Sequence, residues 1–138
     1  MPDKTFTLEV ITPDRRVFSD DRIVSVTLPG IVGYFGVLAN HEALMTALAI
    51  GALDYRRADG SVDAMALTGG FVEVFDNKVT VLADVAEKRE EIDLERAERA
   101  VQRAQERIAS RAQDIDLERA RIALMRALNR LNVARKQL

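Results

Sequence analysis

The side chains best suited to chemistry in this 138-residue chain are arginines in its C-terminal part. Arg119, Arg126 and Arg130 are spaced 7 and 4 residues apart, which on an α-helix places them along one flank. Arg96 and Arg103 repeat the spacing of 7 upstream. A guanidinium group is a planar fork that meets phosphates and carboxylates through paired hydrogen bonds. The alternative use of such residues is a solvated face with helical ion pairs, as between Glu95 and Arg99, each contributing about 0.2–0.5 kcal/mol. Other chemistry has little to draw on. Cysteine is absent, which excludes disulfides and thiolate catalysis, and the single histidine, His41, excludes a site built on two imidazoles. No nucleophile motif surrounds His41, so it reads as a structural or interface residue. No Gly-x-x-x-x-Gly-Lys-Ser/Thr loop occurs. Gly69-Gly70 is too short to cradle phosphates and reads as a strand-opening turn. Taken alone, the chain is expected to catalyse nothing and to require no metal or cofactor.

The elements that must position these arginines follow from a change of character near residue 85. Residues 1–84 hold 7 basic and 12 acidic side chains, a net of −5, whereas residues 85–138 hold 13 and 10, a net of +3. In the first part, Thr5-Phe6-Thr7-Leu8-Glu9-Val10 alternates polar and apolar residues, as a half-buried strand does. Asp59-Gly60 and Asp76-Asn77 are hairpin turn signals between further strand-like runs. Turn signals recur every 10–15 residues with no long amphipathic helix between them. The fold class expected is a mostly β N-terminal domain, an antiparallel β-sandwich or flattened barrel of about ten strands, followed by an α-helical hairpin.

The second part has the helical period. Leu94, Ala97, Val101, Ala104 and Ile108 form one heptad seam, and Leu117, Leu124, Leu128 and Leu131 are expected to form another. Neither proline nor glycine occurs after Gly70, so both helices can run about twenty residues, or roughly 30 Å. The segment from Ala109 to Asp114 is the natural place for the turn, although without glycine a continuous helix remains open. Ile92-Asp93-Leu94-Glu95-Arg96-Ala97 recurs letter for letter as Ile115-Asp116-Leu117-Glu118-Arg119-Ala120. In each copy the aspartate suits an N-cap, the isoleucine a hydrophobic staple, and the glutamate the positive end of the helix dipole. The expected domains are a sandwich over residues 1–86 and a helical hairpin over 87–138. No apolar run approaches the 18–20 residues of a membrane span, and the first residues show no signal-peptide pattern.

Four segments in register resemble the epsilon subunits of F-type, proton-translocating ATP synthases. They are Thr12-Pro13-Asp14 with Leu28-Pro29-Gly30, the loop Gly33-Tyr34-Phe35-Gly36 running into Asn40-His41, the strand Gly69-Gly70-Phe71-Val72, and Ile92-Asp93-Leu94-Glu95-Arg96-Ala97. The last fits the family pattern Ile/Leu-Asp-x-x-Arg-Ala. The resemblance implies a non-catalytic central-stalk subunit whose sandwich rests on the c-ring and packs against the gamma subunit. It also implies helices that either fold on the sandwich or extend into the alpha/beta catalytic head and inhibit ATP hydrolysis. It places the chain peripherally on the cytoplasmic side of a bacterial plasma membrane, attached through the complex alone, with a thylakoid membrane left open.

Family members that bind ATP in the folded hairpin do so through that motif, a preceding glutamate and arginines of both helices. Carried over by position, the implied nucleotide site is Glu87, Ile92, Asp93, Arg96, Ala97, Arg103, Arg126 and Arg130. The implied inhibitory and interface residues are His41, Arg119 and Arg126, with an acidic loop of the catalytic beta subunit as the partner of the arginine stripe. The alanine-rich first seam buries little area per residue, which suits a hairpin that can leave its docking surface. The rival reading is a sandwich and hairpin adaptor of another complex. A nucleic-acid partner is disfavoured by acidic residues interleaved on both helices and by the lack of aromatic residues after Phe75.

Overall fold

The computed structural model describes residues 4–110 and 114–138; residues 111–113, within the expected turn of the hairpin, lie outside the described part. Seven strands come first: β1 (Phe6–Ile11), β2 (Arg16–Gly30), β3 (Gly33–Leu38), β4 (Leu44–Arg57), β5 (Val62–Phe75), β6 (Lys78–Ala83) and β7 (Ala86–Lys88). A short 3-10 turn, Arg89–Glu91, leads into helices α1 (Leu94–Ser110) and α2 (Asp114–Ala134). The β-domain and helical hairpin are thus the expected architecture.

The hydrogen-bonded strand order is β1-β6-β5-β4-β2-β3, and β1 also pairs with β2, which closes the sheet on itself as a flattened barrel. Closure depends on the length of β2. Its first half, Arg16 to Ile23, pairs with β1, and its second half lies between β3 and β4. The strand count falls short of ten because long strands bend instead of ending. Gly69 and Gly70, at φ +91° and +125°, kink β5 in its middle, so the pair is a bend within a strand and not the turn that opens one. A Cβ on Gly70 would meet the carbonyl oxygen of Leu82, which explains glycine there. One pairing is parallel: β1 runs alongside β6. That contact joins the chain's first strand to its sixth, so no local turn signal announces it. The Asp59-Gly60 and Asp76-Asn77 turns are where expected, with Gly60 at φ +89° and Asp76 and Asn77 at +50° and +61°.

Alternation along the strands builds the core. Phe6, Leu8 and Val10 of β1, Val79 and Val81 of β6, Val72 and Val74 of β5 and Leu53 and Tyr55 of β4 are all buried in one cluster. A second, smaller cluster joins the hairpin to the outside of the sheet. It consists of Ala52, Ala64 and Ala66 from β4 and β5, with Ile92, Ala97, Leu131 and Val133.

Helix α1 starts as its motif indicates: the Asp93 carboxylate accepts a hydrogen bond from the Arg96 backbone N–H at 3.1 Å, and the Ala97 N–H reaches the Asp93 carbonyl. The repeated Ile115-Asp116 falls just inside α2, which begins at Asp114, and its side chains lie outside the described part. The first seam buries Ala97 and Ala104 with Val101 and Ile108 half-buried, while Leu94 at its start is exposed. The second seam is rotated from the expected leucine line. Ala120, Ala127, Leu131 and Val133 are buried, Leu117 and Leu124 are half-buried, and Leu128 is exposed. Because α2 meets both α1 and the sheet, its small residues take the line of closest approach and its leucines flank it.

Candidate functional site

Between the hairpin and the edge of the sandwich lies an open groove of about 580 Å³. The sandwich side contributes Thr68, Asp84, Val85 and Glu87; α1 contributes Arg96 and Ala100; α2 contributes Ala123, Arg126, Ala127 and Arg130. Helical spacing explains the last set, since positions 123, 126, 127 and 130 share one face of α2. Arg96 sits in the first turn of α1, two residues after the helix begins.

Within the groove the charges are partly committed. Arg130 donates through Nε to Glu87 Oε1 at 2.7 Å and through an Nη to Glu87 Oε2 at 3.1 Å, a two-pronged pair with both side chains about three-quarters buried. Among the described residues Arg96 and Arg126 make no ion pair. With Asp84 as the other acid, the lining holds three guanidinium groups against two carboxylates, a surplus of one positive charge in a concave, partly desolvated place. Such a lining suits an anion broad enough to touch both helices.

The structure brings together four of the eight residues expected in a nucleotide site: Glu87, Arg96, Arg126 and Arg130. The other four lie elsewhere. Ile92 and Ala97, expected in the nucleotide site, are buried in the cluster that joins hairpin and sheet. The apolar lining of the groove comes instead from Val85, Ala100, Ala123 and Ala127. Asp93 is exposed and occupied as the α1 cap. Arg103 is exposed two turns beyond Arg96 and outside the lining. Arg119 is likewise exposed, two turns before Arg126 on the same helix. His41, in the loop between β3 and β4, is half-buried and donates from Nδ1 to the Glu42 carbonyl at 2.7 Å. Its neighbour Asn40, at φ +62°, is tied through its N–H to Asn77 Oδ1 at 2.8 Å.

Besides that apolar lining, sequence reasoning missed two polar contributors. Thr68 and Asp84 line the groove because the kinked half of β5 brings them together; the Asp84 N–H donates to the Gly69 carbonyl at 3.2 Å. Nothing local marks them. Asn129 was also missed, although an asparagine inside an alanine and leucine face is itself a signal.

Family models agree with this architecture along the chain. Residues 5–89 match the model for the ATP synthase delta/epsilon chain β-sandwich domain, and residues 90–135 match that for the long α-helix domain of the same chain. A protein of Pelotomaculum thermopropionicum, "ATP synthase epsilon chain", is 56% identical over 134 residues, covering 97% of this chain and 98% of that protein. The chain belongs to the ATP synthase epsilon-subunit family. The similarly named protein of Carboxydothermus hydrogenoformans is 51% identical over 102 residues, covering 74% of this chain and 75% of that one. Among solved structures, a chain of the Euglena gracilis mitochondrial ATP synthase, in an assembly described as OSCP/F1/c-ring, superposes with a TM-score of 0.79. It is 27% identical, over 91% of this chain and 78% of its own. A chain from the central stalk and c-ring of the Tetrahymena thermophila enzyme has a TM-score of 0.61 at 17% identity and shows the shared fold. None of the described helices is long and apolar enough to cross a membrane.

Proposed function

We propose that this epsilon-family chain is a non-catalytic part of the ATP synthase central stalk, coupling the gamma subunit to the c-ring through its sandwich. Its C-terminal hairpin inhibits ATP hydrolysis by the alpha/beta head when extended, and ATP bound in the groove favours the folded, non-inhibitory state. Family membership along both domains and likeness to rotor-assembly chains support the stalk role. The observation that carries the nucleotide reading is the convergence of Arg96 from one helix with Arg126 and Arg130 from the other on a single groove. An anion held there touches both helices at once and is available only while they are folded together. A ligand that binds one of two states shifts the population toward that state in proportion to its differential affinity.

In this reading Arg96 and Arg126, which make no ion pair among the described residues, meet the phosphates. Glu87 orients the fork of Arg130 beside them. Titration calorimetry of the isolated chain with ATP tests the proposal. Saturable binding that Arg126→Ala weakens is expected; no heat of binding at several millimolar ATP removes the nucleotide from the mechanism and leaves the stalk role standing.

A further inference from the structure

The docking of the hairpin on the sandwich has one feature that neither the groove nor the seams require. Asn129 of α2 reaches the main chain of the sheet: its Nδ2 donates to the Gly51 carbonyl at 3.0 Å and to the Leu67 carbonyl at 3.2 Å. Gly51 and Leu67 face each other across the β4–β5 ladder, so one amide straddles two strands. The peptide joining Gly51 to Ala52 is held at its other end too, where the Ala52 N–H donates to the Tyr34 hydroxyl at 3.1 Å.

A side chain as short as asparagine touches strand carbonyls only when its helix lies close to the strands. The floor beneath α2 allows this. Ala52, Ala64 and Ala66 are buried there, with Ala52 opposite Ala66 and Asp54 opposite Ala64. Alanine is depleted in strands, and asparagine ranks low in helix interiors. Both choices run against local preference at the one place where helix and sheet meet, which marks them as serving the contact. The other polar links of this part of the chain to the sandwich, Arg130 of α2 to Glu87 and Lys136, just past the end of α2, to Asp54, end on long side chains that tolerate a range of helix positions.

We infer that Asn129 and its alanine floor form the latch that sets the depth and register of α2 on the sandwich, and so the balance between docked and released hairpin. The latch acts in the chain without nucleotide and does not depend on ATP binding. Because Asn129 lies between Arg126 and Arg130 in the same helix turn, it also fixes where those two guanidinium groups stand over the groove.

Amide hydrogen exchange on the full chain without nucleotide tests the latch. A released α2 lacks tertiary support and is marginal as a helix, so its amides exchange through release. Asn129→Ala is expected to speed exchange in the second half of α2 by about thirtyfold, the factor for losing two hydrogen bonds of ordinary net strength. Strand amides at Val72, Val79 and Val81 are expected to keep their protection. Ala66→Val, which retains the asparagine and lifts the helix off its floor, is expected to loosen α2 in the same way. Asn132→Ala, an exposed asparagine one turn on, is the control and leaves exchange unchanged. Exchange in Asn129→Ala and Ala66→Val no faster than in that control, or protection lost equally from the strands, overturns the latch.

Discussion

Glu87 and Arg126 illustrate how residues in one groove divide between holding the hairpin and serving it. Glu87 accepts both prongs of Arg130 where solvent reaches little of either side chain. Glu87→Gln keeps the shape and removes the charge, and it should weaken hairpin docking by about 1–2 kcal/mol, the difference between charged and neutral hydrogen bonds. Faster amide exchange along α2 is the readout. Arg126 makes no ion pair among the described residues, so Arg126→Ala should leave stability within about 0.5 kcal/mol. Under the proposed function the same variant lowers ATP affinity about tenfold, the value of one charge-assisted contact, so that more ATP is needed to hold the hairpin in its non-inhibitory state. Arg119 stands outside the groove. Arg119→Ala should therefore relieve inhibition in the assembled enzyme while leaving ATP affinity of the isolated chain unchanged. The two arginines read alike as a helical stripe, and what separates them is that Arg126 lines the groove and Arg119 does not.

At the scale of elements, the sandwich owes its closure to strands that bend. Gly70 is the hinge of β5, at a φ of +125° and without space for a side chain. Gly70→Ala combines backbone strain with a collision against the Leu82 carbonyl, and should cost about 2–4 kcal/mol, roughly 10 °C in Tm for a chain of this size. A thermal melt measures it. The β4–β5 turn adds a pH dependence. Hydrogen bonds from the Ser61 hydroxyl, at 2.6 Å, and from its backbone N–H, at 2.8 Å, hold the Asp59 carboxyl below its usual range. A depressed folded value means that the turn is favoured above the ordinary aspartate range and loses that support as pH falls through the lowered value. Asp59→Asn should flatten this part of the acid limb of the stability curve. The turn itself was plain in the sequence as Asp-Gly between alternating runs. The bend at Gly69-Gly70 read as a break, because glycine pairs punctuate chains in both ways and only pairing partners distinguish them.

For the whole molecule, the division of labour between sandwich and hairpin is visible in where their apolar clusters lie. The larger cluster draws only on strand-domain residues up to Ala86, so that part has its own core. The strand β7 still belongs to it, since Ala86, Glu87 and Lys88 pair with β5 and Arg89 is bound to Asp63 at 2.8 Å. A chain ending after Glu91 should therefore stay folded. One ending after Ala86 should melt lower, having lost that pairing and ion pair. Both should bind the rotor in a reconstituted enzyme and both should lack inhibition, measured as ATP hydrolysis without proton-motive force. Retained inhibition in either would place the regulatory surface in the sandwich.

Much of this was legible from residue order. The alternation of Phe6, Leu8 and Val10, the Asp-Gly turn, the switch to a helical period after residue 85 and the Asp93 cap are local, and local periodicity is what a linear sequence records. The arginines of the groove were legible as helical stripes from their spacing, and their gathering at one site only through their fit to a family pattern. What the tertiary structure decided is everything that depends on contacts distant in the chain: the parallel pairing of β1 with β6, the rotation of α2 onto its alanines, the burial of Ile92 and Ala97, and the reach of Asn129 to Gly51 and Leu67. A helix face cannot be assigned to a partner until the partner's position is known, because α2 has two surfaces to satisfy at once. The packing of α1 on one side and an alanine floor on the other makes that choice.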